Sequence, residues 1–137
     1  MSKAIRFQIK EADWTLLLDD DVVSLLAAQR QTFFNSKEKV GQLYSRDLTG
    51  NEIVVDRATV LPAIHARYAD VHFDPEVAYR ERLRLFEQGL HCIGLWHSHP
   101  ESRPSPSVMD LELAADYATA SRPHLNGIVF AIVGKVT

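Results

Sequence analysis

The chain has 137 residues, of which 46% are hydrophobic, 24% charged and 9% aromatic, a make-up that supports one ordinary globular core. A formal charge of -3 and a pI near 6.0 give no sign of the basic stripe that a nucleic-acid binder usually carries. With Cys92 as its single cysteine the chain has no internal disulfide, which fits a reducing, cytoplasmic setting. Met1 to Arg6 are too mixed to begin a signal peptide, and no apolar run is long enough to span a membrane.

Residues 4–9 alternate apolar and polar side chains, which predicts a half-buried strand, and residues 14–18 predict a second short one. Asp19, Asp20 and Asp21 then open a predicted helix of about a dozen residues. Its buried stripe is Val22, Leu25, Leu26 and Phe33. The three acids suit the positive end of the helix dipole, a far commoner use of an acidic first turn than a metal cluster. Residues 40–44 and 53–60 read as an antiparallel hairpin around the turn chemistry of residues 47–51.

Residues 61–73 show no clean period and read as a surface loop, with His65, Tyr68, His72 and Phe73 set either to face a substrate or to pack the loop down. A second helix starts with an Asp74 cap, Pro75 in the first turn and Glu76 behind it. Tyr79, Leu83, Phe86 and Leu90 recur at helical spacing and define the face expected to be buried. Arg80, Arg82, Arg84 and Glu87 form the solvated side, and Gly89 ends the helix. Residues 91–95 read as the next strand. Ser107 caps a third helix running through Ala118, which Arg122-Pro123 stops, and residues 127–133 form an apolar run typical of a fully buried strand. No repeat or linker divides the chain, so residues 1–137 read as one domain.

The chemistry concentrates at Trp96-His97-Ser98-His99-Pro100 and Pro106-Ser107-Val108-Met109-Asp110. Strand alternation sends Cys92, Gly94, Trp96 and Ser98 one way, and Ile93, Leu95, His97 and His99 the other. A lone histidine beside core residues is most often structural, but core packing does not call for two of them at a strand's exit. His97, His99 and Asp110 together make three protein ligands with a fourth tetrahedral position open, the pattern of catalytic zinc. Zinc so held lowers the pKa of water from about 15.7 to about 7 and polarises a carbonyl. Cleaving a peptide-like bond also needs a base and an oxyanion donor. Ser107 is the candidate donor, while spacing alone does not choose a base among Glu38, Glu52 and Glu101.

His97-Ser98-His99-Pro100, six residues, then Ser107-Val108-Met109-Asp110 resembles the JAMM motif, also called MPN-plus or JAB, of zinc isopeptidases. That family also carries an upstream Glu-x-x-Gly-x-Leu element, which Glu38-Lys39-Val40-Gly41-Gln42-Leu43 resembles. Charged Lys37 and Lys39 flank the glutamate, and the chain stops at Thr137, just after the apolar strand, where family members often continue. The resemblance implies an α/β (α+β) fold, a three-layer sandwich with a central mixed sheet flanked by helices, akin to cytidine deaminases. It implies one Zn2+ per chain held by His97, His99 and Asp110, with Glu38 as the base and Ser107 at the tetrahedral intermediate. It further implies cleavage after the C-terminus of a ubiquitin-like or sulfur-carrier protein, in the company of E1/E2-like conjugation enzymes, with no nucleic-acid or membrane partner.

Two other readings differ in kind. The same fold serves as a catalytically silent scaffold or binding module in larger complexes, although such scaffolds typically lack one or more of the motif positions present here. A zinc deaminase would need a Pro-Cys-x-x-Cys element, which a single cysteine cannot supply.

Overall fold

A computed structural model of the chain describes residues 3–8, 15–29, 39–64, 72–98 and 129–133. In order, the elements are β1 (Ile5–Gln8), β2 (Thr15–Leu18), α1 (Asp20–Ala28), β3 (Val40–Ser45), β4 (Glu52–Val55), β5 (Arg57–Ala58), β6 (Ala63–Ile64), β7 (His72–Phe73), α2 (Pro75–Glu87), β8 (His91–Ser98) and β9 (Val129–Val133). The third helix expected from Ser107 to Ala118 lies outside the described residues. Strands β5-β3-β8-β9 form a mixed sheet in which β8 is antiparallel to β3 and parallel to β9. A second mixed sheet has the order β1-β2-β4. Helix α2 covers one face of the four-stranded sheet, and α1 with the second sheet covers the other. This is the α/β sandwich that the sequence implied.

The expected hairpin of 40–44 with 53–60 forms only in its second half. β4 leaves to pair in parallel with β2, while β5 pairs antiparallel with β3. Asp56 sits between them. Its N–H still bonds to the Tyr44 carbonyl at 2.9 Å, and its carboxylate accepts from the Arg46 N–H at 2.7 Å. One continuous stretch thereby serves two sheets. β1 is a sheet edge with all four residues exposed, so the expectation of a half-buried strand fails. Among the described residues its one neighbour is β2, and the ion pair between Arg6 and Glu52 reaches across that strand to β4. β9 likewise lies at the end of its sheet's strand order and is only partly buried among its described side chains, not fully buried. The ends of the supposed surface loop pair with each other as β6 and β7.

Helix α1 starts as its sequence demands. Asp19 caps it, accepting from the Val22 N–H at 2.9 Å, and Asp20 and Asp21 lie in the first turn, so the acids are accounted for by capping and dipole. Val22 and Leu26 are buried and Leu25 packs beside them, whereas Phe33 lies outside the described residues. The main core gathers these side chains with Leu16, Leu18, Leu43, Val55, Ala58, Ile93 and Trp96.

Helix α2 has the predicted limits. Asp74 accepts from the Glu76 N–H at 2.9 Å. At the other end Gly89, at φ 81°, permits paired bonds from Gly89 N–H to the Phe86 carbonyl and from Leu90 N–H to the Leu85 carbonyl, at 3.0 and 2.9 Å. That closure needs the left-handed residue and brings Leu90 onto Leu85. The buried face, however, differs from the one expected. Tyr79, Leu83 and Phe86 are 49%, 48% and 61% exposed, and the helix buries Ala78, Glu81 and Leu85 instead.

The reason lies in the sheet beneath. Gln42 and Tyr44 face α2 from β3, fully buried, and need partners that an apolar stripe cannot give. Glu81 Oε1 accepts from Gln42 Nε2 at 3.0 Å, Tyr44 Oη at 2.7 Å and Thr59 Oγ1 at 2.6 Å, while Gln42 Nε2 also donates to the Ala78 carbonyl. Arg82 donates to Gln42 Oε1 at 2.8 Å and lies 5.7 Å over the Tyr79 ring. Polar satisfaction, not apolar periodicity, sets the rotation of this helix. Leu85→Ala should therefore cost about 3 kcal/mol and Leu83→Ala less than about 1 kcal/mol in urea unfolding. The reverse order would refute this account of the helix face.

Candidate active site

β8 carries the first of the candidate ligands. Its ladder with β3 pairs Val40 with His97, Gly41 with Trp96, Gln42 with Leu95 and Leu43 with Gly94, and then slips, so that Tyr44 opposes Cys92 and Ile93 is the extra residue. The slip changes the facing expected from simple alternation. Cys92 joins the face of Leu95 and His97, packing near Tyr44, Leu85 and Leu90, while Ile93 turns into the main core with Trp96. Downstream of the slip the expectation holds: His97 points opposite to Trp96 and Ser98.

His97 is 7% exposed, and its strand is flanked by Val40 on β3 and Ile132 on β9. Ser98 is fully buried. Its N–H donates to the Lys39 carbonyl at 2.9 Å, and its Oγ accepts from the Lys39 N–H at 2.7 Å. Thus the strand of His97 is bonded directly to the residue that follows Glu38 in sequence. Two stretches more than fifty residues apart meet there.

Gly41 explains part of the Glu-x-x-Gly-x-Leu pattern. Trp96 Nε1 donates to the Thr59 carbonyl at 2.7 Å, directly over Gly41. A β-carbon built on Gly41 would sit 1.7 Å from the Thr59 oxygen and 2.4 Å from Trp96 Nε1. No side chain fits, and the obstructing atom is backbone. Replacing Gly41 with Ala should cost about 3 kcal/mol by overpacking, read as a lower urea midpoint with unchanged slope. An unaltered midpoint would show that Thr59 yields without cost.

Of the proposed site residues, the structure describes His97. His99, Asp110, Ser107 and Glu38 lie outside the described residues, as does Glu101. Among the described residues no three histidine, cysteine or acidic side chains converge as a metal site. Glu52, the remaining alternative base, sits on β4 in the other sheet and is paired with Arg6. His72 lies on β7, and His65 and Tyr68 are outside the described residues.

Sequence reasoning passed over two groups. One is Ser98, whose position between two histidines drew no attention. The other is the Glu81 cluster, which the polar pair Gln42 and Tyr44 on an otherwise buried strand could have signalled.

The chain matches the family model described as prokaryotic homologs of the JAB domain over residues 21–137. The chain belongs to the prokaryotic JAB family. Within 105 residues it is 31% identical to an MPN domain-containing protein of Danio rerio, a stretch that is 75% of this chain and 22% of that protein. The chain therefore spans about a fifth of that relative's length. A CD-NTase/cGAS isopeptidase of Escherichia coli (strain TW11681) is 25% identical over 131 residues, covering 93% of this chain and 81% of that one. In fold, the JAB chain is similar to the solution structure of protein DSY2949 from Desulfitobacterium hafniense, with a TM-score of 0.58 and 24% identity over 84% of this chain and 71% of that one. No helix among the described residues is long and apolar enough to cross a membrane.

Burial also tunes two groups on the α2 face of the JAB sheet. Desolvation pushes the Cys92 thiol from 9.0 up to about 11, against a smaller opposing effect of the Gly94 backbone. Desolvation, reinforced by the bond to Glu81, raises Tyr44 well above the ordinary phenol range. Both are acids that ionise more readily in the unfolded chain. The Cys92 contribution to stability is complete below about pH 9 and is lost as pH rises through about 11, whereas that of Tyr44 begins to be lost only above 10.0 and continues to fall beyond that window. Urea midpoints should therefore fall between pH 9 and 11, with a smaller drop in Cys92→Ala. A midpoint that is flat through that window would contradict the burial argument.

Proposed function

We propose that this JAB domain is a zinc-dependent hydrolase that cleaves the peptide or isopeptide bond following the C-terminus of a ubiquitin-like protein. The observation that carries the reading is the junction of β8 with the start of β3. His97 stands opposite Val40, and Ser98 is bonded twice to Lys39, which supports reading the two sequence motifs as parts of one site.

The donor set suits zinc, since two imidazoles and one carboxylate are ligands it commonly takes with a position left open. His97, His99 and Asp110 would hold it. The buried His97, on a strand hydrogen-bonded along both sides, is a rigid platform of the kind a metal site needs. When bound, zinc supplies Lewis acidity that favours deprotonated water and polarises the scissile carbonyl. Glu38 takes the proton from the attacking water as its oxygen bonds to the carbonyl carbon. It then gives that proton to the amine nitrogen as the C–N bond breaks. Ser107 donates to the oxygen that gains charge in between. The products are a free C-terminal carboxylate and an amine.

Cleavage of an isopeptide bond is supported by the E. coli relative, whose name specifies an isopeptidase. The conjugating enzymes that attach the ubiquitin-like protein are the partners this reading expects.

A linear fusion of a ubiquitin-like protein, incubated with the zinc-loaded chain, should be cut at the junction. A chelator should stop cleavage and added zinc should restore it. Glu38→Gln should retain zinc and the unfolding midpoint while turnover falls about a hundred- to ten-thousand-fold. Undiminished cleavage by Glu38→Gln would overturn the assignment of the base, and full activity in chelator would overturn the metal.

A further inference from the structure

We infer that Ser98 is a positioning residue, fastening the Glu38–Lys39 peptide unit to the strand that carries His97; the inference rests on the hydrolytic reading above. In a regular antiparallel pair, two opposed residues exchange two backbone hydrogen bonds. Between Ser98 and Lys39 one of these is regular, from the Ser98 N–H to the Lys39 carbonyl at 2.9 Å. The Lys39 N–H instead donates to the Ser98 hydroxyl, at 2.7 Å. A side chain thus serves as acceptor at the last residue of β8, immediately before His99.

The geometry matters because of what the Lys39 N–H belongs to. It is part of the planar peptide unit whose carbonyl and preceding α-carbon are those of Glu38. Holding that N–H and the Lys39 carbonyl grips the chain on both sides of the Lys39 α-carbon. The α-carbon of Glu38 is then one rigid plane away from an anchored atom. Ser98 is fully buried and Lys39 is exposed, so the hydroxyl is the shielded half of the contact. Its neighbours are fixed independently. Trp96 is bonded to the Thr59 carbonyl, and His97 lies in register between Val40 and Ile132. The hydroxyl therefore couples the base to a strand already held in place, and a displacement of about 1 Å at a base can cost a hundred-fold in rate.

The experiment compares zinc-loaded wild type, Ser98→Ala and Ser98→Thr by three readouts: amide hydrogen exchange at Lys39, zinc content, and steady-state cleavage of a linear ubiquitin-like fusion. Exchange at Lys39 should accelerate at least about tenfold in Ser98→Ala. Its kcat should fall about ten- to a hundred-fold with KM and zinc content unchanged. Ser98→Thr, which keeps an acceptor oxygen, should restore both the exchange rate and kcat. Unchanged Lys39 exchange in Ser98→Ala would overturn the inference, as would faster exchange with an unchanged kcat. A loss of kcat matched by loss of zinc and not rescued by Thr would reduce Ser98 to a packing residue and overturn it too. A wild-type chain without any turnover would sink the hydrolytic reading and the catalytic half of this inference together. The latch itself would then stand on faster Lys39 exchange in Ser98→Ala and fall on unchanged exchange.

Discussion

The antiparallel ladder between β3 and β8 is the contact on which the described structure depends. It carries the largest buried side chains, Trp96 and Tyr44, on opposite faces, and so supplies both layers of packing at once. Its register is enforced from outside by Trp96, whose indole reaches across Gly41 to the Thr59 carbonyl. A one-residue shift would place a side chain where only hydrogen fits. The same ladder ends at Ser98 and Lys39, so the features that secure the core also set the spacing between His97 and the start of β3.

On the α2 side the constraint is electrostatic. A buried carboxylate is costly unless its oxygens find donors, and Glu81 finds three on one oxygen, from Gln42, Tyr44 and Thr59. These groups belong to β3, to the segment that follows β5, and to the helix. Satisfying them selects one rotation of α2 and one position of the crossing segment together. Apolar burial alone would have been content with Tyr79, Leu83 and Phe86 facing inward.

That contrast marks the limits of what the sequence disclosed. Caps and stops were legible because they depend on neighbours in the chain: Asp19 and Asp74 at helix starts, and Gly89 where φ turns positive. The exposed side of α2 was illegible because it depends on Gln42 and Tyr44, some forty residues earlier, reaching for Glu81. The exchange of 52–61 between two sheets was hidden for the same reason, since local alternation does not say which partner a strand will choose. At the site, the ligand pattern around His97 was readable from spacing, and it falls within the stretch of the family match, residues 21–137. Ser98 was missed because a serine between two conspicuous histidines reads as filler until its Oγ is seen against the Lys39 N–H.

The extra residue at Ile93 has a consequence for how this chain is compared with its relatives. Upstream of it, facing is dictated by the pairing of Tyr44 with Cys92; downstream, by that of Leu43 with Gly94. The strand is in effect written in two reading frames, joined at one residue. A relative that lacks the insertion would match this chain correctly through His97 and Ser98 while every position before Gly94 fell on the wrong side of the sheet. Alignment of the family along this strand therefore has to be anchored at the histidines and allowed to slip by one residue toward its beginning.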